Sequence, residues 1–337
     1  MSVSSPLWIS EAAVVANMDI GDAITALKKA LLAEARGEAK NMMKTHVAWN
    51  SSTLNAIGAV FPNEGFAGTK TWAHTPGGAT PLLILLDSES GSLMAIIEAF
   101  ALGQLRTASA SGVATNLLAV KDADDFAMIG TGKQAMTQVA AVLAVRSIKR
   151  LRVFGRNAER SEQFAARVKQ EFEIETIAAR SVGEAVAGAS IITVATRATE
   201  PILTAGMIAK GAHINAIGAI VPSRAEIAGD VLARCSHIVV DSVPQAQKLS
   251  RELMDFLGAA DQEGWEQVRS LADLVAAGES RSASDDLTVF KSLGMGISDL
   301  ALGIELYRKA RAEGVGREFA HPEKAAPRLR RDVGQTV

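Results

Sequence analysis

The chain has 337 residues, of which 48% are hydrophobic and 21% are charged, and its formal net charge is −2. This length suffices for about two domains, and the balanced charge argues against a nucleic-acid-binding protein, which needs a clustered basic surface. The single cysteine, Cys235, excludes an intrachain disulfide and a cysteine-built metal site, so we expect no metal. We interpret Cys235 as a buried structural thiol and not as a nucleophile.

We interpret the sequence as having no targeting or membrane signal. Its first ten residues, MSVSSPLWIS, lack the basic start and apolar core of a signal peptide. No apolar run reaches the roughly 20 residues that are needed to span a bilayer. We therefore expect a soluble, cytoplasmic protein with no membrane partner.

The first third of the chain predicts an α+β unit. Residues 10–36 have the spacing of two short amphipathic helices. Residues 42–61 and 66–86 are rich in β-branched and aromatic residues between turn signals, which is typical of a meandering sheet. A hairpin-like turn at 88–91 leads into another apolar segment, and small residues at 101–120 predict a long helix.

The middle of the chain alternates strands with helices. Strands are predicted at 126–129, 150–156, 175–179, 191–196, 212–219 and 237–242, with helices at 161–172 and 181–189 between them. This alternation indicates a parallel sheet with helices on both faces. The predicted class is therefore α/β, with an α+β unit in front.

A glycine-rich turn follows the first of these strands. Gly130, Gly132 and Ala135 have the spacing G-x-G-x-x-A, in which the first glycine allows the tight turn and the second lets the backbone approach a pyrophosphate. The turn could instead be an ordinary strand–helix connection without a ligand. The second strand, about 20 residues further on, supplies the context that favours a dinucleotide at the start of the following helix.

The end of that second strand indicates which dinucleotide binds. An NAD site usually has an acidic residue here, whereas this chain has Gly155, Arg156 and Asn157. A guanidinium can pair with a 2′-phosphate, so NADP(H) is favoured over NAD(H). The alternative is that Arg156 is a solvated loop residue, which leaves NAD(H) open.

Five motifs occur in the order of one protein family. They are GTK (68–70), LRTASASGVATNLLA (105–119), GTGKQA (130–135), HINAIGA (213–219) and VFKSLGMGISDLALG (289–303). With these motifs the chain resembles the ornithine cyclodeaminase/μ-crystallin family. The resemblance implies a Rossmann dinucleotide-binding domain, residues 119–295, inserted into an α+β substrate-binding and dimerisation domain, residues 1–118 plus 296–337.

The fingerprint and the resemblance together predict the cofactor site. Its expected residues are Gly130, Thr131, Gly132, Lys133, Gln134, Ala135, Gly155, Arg156, Asn157, Ala195, Thr196, Gly218, Ile220 and Lys291. The resemblance implies that Lys291 and Asp299 border the cofactor cleft and secure the domain junction. The alternative for Asp299 is a purely structural role at the start of a helix.

The resemblance also implies the substrate site. Lys70 and Arg106 match the family's substrate-binding positions, and Lys44 stands where many members carry an arginine. A bidentate arginine beside a lysine suits a substrate carboxylate that must be held against the nicotinamide. We expect Lys70 and Arg106 to be catalytic, with Lys44, His46 and Ile220 also lining the substrate site. Without the motifs, each cation would be interpreted as a surface charge.

Ile220 is the departure from the family pattern. Cyclodeaminases and several amino-acid dehydrogenases of the family have an aspartate there. Isoleucine can neither accept a proton nor hold an ammonium group, so ornithine cyclisation is not expected. An apolar wall suits a hydrocarbon ring instead.

The residues leave the proton donor open. Lys70 is one candidate if a neighbouring cation lowers its pKa, and His46, His74 and water are others. Glu226 follows closely in sequence, and we expect it to cap a helix that begins near Ser223.

The expected function is NAD(P)H-dependent reduction of a small cyclic imino acid, Δ1-pyrroline-2-carboxylate or Δ1-piperideine-2-carboxylate, to L-proline or L-pipecolate. The alternatives are a lyase of the family (ornithine cyclodeaminase or hydroxyproline dehydratase), an open-chain dehydrogenase such as alanine dehydrogenase, and a non-catalytic ligand-binding protein. A homodimer is expected through the N-terminal sheet, because its apolar strands have no obvious covering helices. Residues 318–337 are expected to form a peripheral tail and not a nucleic-acid-binding arm.

Overall fold

The computed structural model describes residues 4–258 and 263–330. Its strands are β1 (Leu7–Ile9), β2 (Lys40–Trp49), β3 (Ser52–Phe61), β4 (Phe66–Thr75), β5 (Gly78–Ala79), β6 (Leu82–Asp87), β7 (Leu93–Glu98), β8 (Asp125–Ile129), β9 (Arg150–Phe154), β10 (Glu175–Ala178), β11 (Ile191–Val194), β12 (His213–Ala216), β13 (Cys235–Val240), β14 (Val268–Ser270), β15 (Leu287–Lys291) and β16 (Arg317–Glu318). Its α-helices are α1 (Glu11–Asn17), α2 (Ile20–Ala35), α3 (Phe100–Leu118), α4 (Ala135–Leu143), α5 (Ala158–Phe172), α6 (Val182–Val186), α7 (Gly229–Ala233), α8 (Val243–Leu249), α9 (Arg251–Leu257), α10 (Leu271–Ala277) and α11 (Gly296–Glu313).

The first sheet contains the N-terminal strands. Its order is β16-β1-β7-β6-β4-β3-β2, with β5 paired to β4. The strands from β2 to β7 are antiparallel neighbours, as the predicted meander requires, while β1 lies parallel to β7 and antiparallel to β16. The predicted tail thus begins with a short strand, and residues 319–330 have no helix or strand.

Helix α11 covers one face of this sheet. The ring of Tyr307 packs edge-on against Phe66 of β4, with 5.9 Å between the ring centroids. Gly303 lies so close to Leu83 of β6 that a side chain at Gly303 would overlap it. The expectation that the apolar strands lack a covering helix was therefore wrong for this face, because the helix that covers it comes from the other end of the chain.

The opposite face of the same sheet remains partly open. Its apolar side chains are exposed or half-buried, and they include Val47, Leu54, Ile84, Leu86 and Ile96. Val47 and Leu54 are direct cross-strand neighbours, and 68% and 49% of their surfaces are exposed. Apolar surface of this kind on a sheet face is typical of a contact with another protein surface.

The second sheet is parallel throughout, in the order β10-β9-β8-β11-β12-β15-β13-β14. Strands β8, β11, β12 and β15 are buried along their whole length, as central strands of a parallel sheet covered on both faces are. The predicted α/β class, a Rossmann domain together with an α+β unit, is confirmed. Sequence reasoning did not predict β14 and β15 as strands.

The chain returns from the second sheet to the first between β15 and α11. At the start of α11, Gly296 contacts the backbone of Gly58 in β3, where a side chain could not be accommodated. We propose that the boundaries of the inserted domain fall at 118/119 and 295/296, because β15 belongs to the second sheet and α11 packs on the first.

Two further properties concern membranes and metals. Among the described residues, no helix combines the length and the apolar character that crossing a membrane would require. Within the same residues, no group of three or more His, Cys, Asp or Glu side chains could hold a metal ion. Burial raises the pKa of the Cys235 thiol to about 12, so it stays protonated and unreactive.

Candidate active site

Lys70, Arg106 and Asp299 meet at the junction of three elements. Lys70 lies on β4, Arg106 on α3, and Asp299 in the first turn of α11. The Lys70 ammonium donates to Oδ1 of Asp299, and Nε of Arg106 lies 3.4 Å from the same oxygen. Only 4% of the Lys70 side chain and none of the Asp299 side chain is exposed. The tertiary fold therefore brings together the two predicted catalytic cations around one buried carboxylate.

The surroundings of Lys70 lower its pKa. Burial is the largest cause, and the charges of Arg106 and Lys44 act in the same direction, while Asp299 opposes them. The resulting pKa is about 8, against 10.5 for an ordinary lysine. At neutral pH the group is therefore mostly charged and can release a proton readily.

Lys44 adds a third cation. It lies on β2 next to an irregularity in the pairing between Met42 and Thr45, and it is half-buried. Burial and the charge of Arg106 lower the pKa of Lys44. In the part of the chain that the structure describes, no carboxylate lies within ion-pair distance of its ammonium group.

The guanidinium of Arg106 is only partly used by the protein. Its Nε faces Asp299, and its terminal nitrogens lie against Gly294, whose φ is +87°. A Cβ at Gly294 would lie 2.8 Å from Nη1. Among residues 4–258 and 263–330, no acceptor binds either terminal nitrogen, so this pair of donors remains available to an anion.

Trp72 was not singled out from the sequence. Its ring lies beside Lys70, with 5.2 Å between the ammonium nitrogen and the ring centroid. The signal was its position two residues after Lys70, which places both side chains on the same face of β4. His46 belongs to that face as well, because it pairs with Asn55, which in turn pairs with Trp72. His46 and His74 are both exposed.

The glycine turn has the geometry that its spacing predicted. Gly130 has φ +109°, and a Cβ there would lie 2.5 Å from the carbonyl oxygen of Ala195, at the end of β11. No heavy atom lies within 4 Å of the place where a Cβ of Gly132 would be, so the turn is open on that side. Gly155 packs against Thr131, which brings the end of β9 to the turn. Helix α4 then begins at Ala135.

Glu226 joins two of the predicted cofactor loops. None of Glu226 is exposed. Its carboxylate accepts hydrogen bonds from the backbone and hydroxyl of Thr196, at 2.5 and 2.8 Å, and from the backbone of Gly218 and Ala219, at 2.7 and 3.0 Å. Burial raises the pKa of Glu226, and Lys291 opposes this shift. The ends of β11 and β12 are thus tied together by one side chain.

The prediction that Glu226 caps a helix near Ser223 was wrong. The next helix, α7, begins at Gly229. The backbone around Glu226 is used in tertiary hydrogen bonds instead, because its carbonyl accepts from Ile202 at 3.0 Å and its N–H donates to Glu252 at 2.7 Å. A single acidic residue between Ala225 and Ile227 was the available sequence signal for a buried carboxylate.

Lys291 lies in a second buried ion pair. Its ammonium is 2.8 Å from Oε2 of Glu252, and each side chain is 1% exposed. Glu252 in turn holds the N–H of Glu226, so Lys291 supports the loops through two carboxylates. Direct contact between Lys291 and a cofactor stays a prediction.

The remaining predicted residues lie at the ends of the parallel strands. Arg156 is exposed after β9, without a carboxylate partner among the described residues. Asn157 caps α5, since its Oδ1 accepts from the N–H of Arg160 at 2.8 Å. Lys133 stacks over the Phe100 ring at 5.5 Å, and Ile220 is half-buried in the loop after β12.

Fold and site together define a two-domain α/β protein with a Rossmann domain and a cationic cluster at its domain junction. The family model of the ornithine cyclodeaminase/mu-crystallin family matches residues 7–314, and the chain belongs to this family. It is 31% identical over 243 residues to a Delta(1)-pyrroline-2-carboxylate reductase of Bacillus cereus, covering 71% of this chain and 73% of the relative. It is 34% identical over 246 residues to the ketimine reductase mu-crystallin of Mus musculus, covering 72% of each.

Solved structures share the whole architecture. The Delta(1)-pyrroline-2-carboxylate reductase of Thermococcus litoralis, in complex with NADH and L-proline, has a TM-score of 0.86 and 28% identity, covering 93% of this chain and 100% of that one. An archaeal alanine dehydrogenase dimer with bound NAD has a TM-score of 0.86 and 25% identity, covering 94% and 99%.

Proposed function

We propose that this chain is an NAD(P)H-dependent reductase of small cyclic imino acids, with Δ1-pyrroline-2-carboxylate and Δ1-piperideine-2-carboxylate as substrates and L-proline and L-pipecolate as products. The observation that carries the proposal is the free pair of terminal nitrogens on Arg106 beside Lys70 and Lys44. Lys70 and Arg106 share one ion-paired carboxylate, Asp299, and Lys44 adds a third cation, so the site has positive charge available for a substrate carboxylate. The similarity to reductases of this substrate class supports the same conclusion.

Each cation then has a separate task. Arg106 binds the substrate carboxylate through two parallel hydrogen bonds, and Lys44 adds charge on the same side. Lys70 donates a proton to the substrate nitrogen as the C=N bond becomes a C–N bond. The Lys70 side chain, now a neutral amine, then regains a proton from solvent. A reduced nicotinamide, when bound, supplies the hydride to the carbon of the C=N bond. The apolar Ile220 leaves room for a ring and offers no base.

The crevice at the strand ends suits a dinucleotide. The open side of Gly132 and the start of α4 leave backbone N–H groups available to a pyrophosphate. Gly130, Ala195, Thr196 and Gly218 would line the rest of the crevice. The exposed Arg156 and the lack of a carboxylate in Gly155-Arg156-Asn157 favour NADP(H), with NAD(H) as the alternative.

We also propose that two copies associate through the open face of the first sheet. The apolar side chains on that face and the exposed Met42, Met43 and Trp49 of β2 supply surface that water disfavours. An archaeal relative of the same fold is described as a dimer. Light scattering of the purified protein gives the mass directly, and a monomer at micromolar concentration would exclude this interface.

The test of the proposed activity follows the loss of absorbance at 340 nm. NADPH and NADH are each mixed with the enzyme and with each of the two cyclic imines. Turnover with either ring establishes the reductase, and the ratio of kcat/KM between cofactors gives the preference. No turnover of either cyclic imine, while NADPH still binds, would overturn the proposed reductase activity. Assays with ornithine, hydroxyproline and pyruvate plus ammonia would then separate a lyase, an open-chain dehydrogenase and a non-catalytic binding protein.

A further inference from the structure

The two oxygens of the Asp299 carboxylate make unequal contacts. Lys70 and Arg106 both approach Oδ1. The second oxygen, Oδ2, is buried and accepts no hydrogen bond from any residue that the structure describes. Buried polar atoms are normally hydrogen-bonded, so an unpartnered carboxylate oxygen at this position is unusual. The other oxygen is directed at the two cations that the reaction needs.

The charges around Lys70 explain why a carboxylate is required there. Lys70 faces Asp299 from α11, Arg106 from α3, Lys44 from β2 and the ring of Trp72 on its own strand. Burial and the two other cations disfavour a charged ammonium, and only Asp299 and the ring favour it. Without Asp299, the pKa of Lys70 would be lowered further, and less of the ammonium form would be present when substrate binds.

Asp299 also bears on the orientation of the Arg106 guanidinium. Nε of Arg106 lies 3.4 Å from Oδ1 of Asp299, an ion-pair contact without a hydrogen bond, while the two terminal nitrogens lie against Gly294. The same carboxylate thus contacts the guanidinium whose free donors a substrate carboxylate would use.

We propose that Asp299 is a positioning residue that keeps Lys70 charged as the proton donor and turns the free donors of Arg106 toward the substrate carboxylate. This inference rests on the proposed imine reduction and adds the residue that prepares both cations for it. In this role Asp299 acts through the two cations at its Oδ1 and not by transferring a proton itself.

The experiment compares the wild type with Asp299→Asn across pH 6 to 10, with saturating NADPH. In the wild type, kcat/KM for the imine falls as the pH rises through the pKa of Lys70, near 8, because the proton donor is lost. In Asp299→Asn this fall moves to lower pH by about one unit or more, and activity at pH 8 drops roughly five-fold or more, as the protonated fraction of Lys70 does. Asp299→Glu restores part of the pH midpoint and part of the activity at pH 8, because it restores the negative charge.

An unchanged midpoint in Asp299→Asn, with activity lowered equally at every pH, would overturn the inference and leave Asp299 a structural link. Binding of NADPH, followed by its fluorescence, checks that the variant is folded.

A second readout does not depend on turnover. The NMR titration of lysine carbons, with the Lys70 signal assigned by its loss in Lys70→Arg, gives the pKa of Lys70 in the wild type and in Asp299→Asn. A lower midpoint in the variant supports the inference, and an equal midpoint refutes it. If the wild type reduces no imine, the proposed function fails, while this titration still decides whether Asp299 controls the charge of Lys70.

Discussion

The side chain of Asn41 caps a helix that begins 255 residues later in the chain. Its Oδ1 accepts hydrogen bonds from the backbone N–H groups of Gly296 and Ile297, at 2.8 and 3.2 Å. Met295, the residue before the helix, makes no such bond through its own side chain. Strand β2 therefore fixes the start of α11, and with it the position of Asp299 one turn further on.

Replacing Asn41 with alanine is expected to destabilise the protein by about 1 kcal/mol, the usual effect of losing a helix cap. Chemical denaturation measures this loss. Asn41→Asp is the matched control, because it retains the accepting oxygen and should keep stability close to that of the wild type. Equal stability of the wild type and Asn41→Ala would show that the cap contributes nothing.

Glu226→Gln is expected to weaken cofactor binding roughly ten-fold. The glutamine NH2 group would face N–H donors where a carboxylate oxygen now accepts, so about one charged hydrogen bond would be lost. The four bonds from Thr196, Gly218 and Ala219 hold the two loops together in the native protein. NADPH fluorescence titration measures the Kd. Glu162→Gln on the exposed side of α5 is the control. A Kd that Glu226→Gln leaves at the wild-type value would mean that the loops hold their positions without this carboxylate.

Arg156→Ala is expected to raise the KM for NADPH by about ten-fold or more, which corresponds to the loss of a charged hydrogen bond to the 2′-phosphate. The KM for NADH should stay the same, because that cofactor lacks the phosphate. Arg167→Ala, on the exposed surface of α5, controls for a general loss of positive charge. Equal effects on both cofactors would assign Arg156 to the solvated loop.

Ile220→Asp is expected to lower kcat/KM for the cyclic imines about ten-fold or more, since a carboxylate in a partly desolvated pocket repels the substrate carboxylate. Ile220→Asn introduces a side chain of nearly the same shape as aspartate but without the charge, and its kcat/KM should fall less. Steady-state assays of both variants separate charge from shape. Similar losses in the two variants would mean that shape alone matters at this position.

Glu34 makes stability depend on pH. Burial, Asp241 and Asp273 raise its pKa from 4.5 to about 7, so the folded state disfavours the ionised form. The unfolded chain ionises Glu34 first as pH rises above 4.5, and folding stability therefore falls between pH 4.5 and 7 and stays low above that range.

Glu34→Gln removes this effect. It should stabilise the protein at pH 8 by about 3 kcal/mol and change stability little at pH 4.5. Urea denaturation at the two pH values measures the difference. An equal gain in the free energy of unfolding at both pH values would show that the effect of Glu34→Gln does not come from the ionisation of Glu34.

Local patterns in the sequence were enough for much of the architecture. The parallel strands β8, β9, β11, β12 and β13 were predicted because short segments rich in apolar and β-branched residues alternate with helical patterns in this part of the chain. Strand β15 was missed, because its five residues include a threonine and a lysine and so do not form a plain apolar run. The glycine turn was predicted because its backbone conformation depends on residues next to each other in sequence.

The partners of the charged residues came only from the tertiary structure. Lys70 and Asp299 are 229 residues apart, and no local property of either segment indicates that they form a buried pair. Glu226 was misassigned for the same reason, since its four hydrogen bonds come from loops that meet only when the sheet is formed. Family motifs pointed to Lys70 and Arg106 as individual residues.

The sequence by itself determined the kind of fold and the dinucleotide turn, because periodicity and backbone conformation are local properties, and its family motifs marked the cations. The packing of α11 across the first sheet decided which carboxylate faces those cations and how strongly the pKa of Lys70 is lowered. Electrostatic effects depend on distance and burial in space, and the folded chain alone sets both.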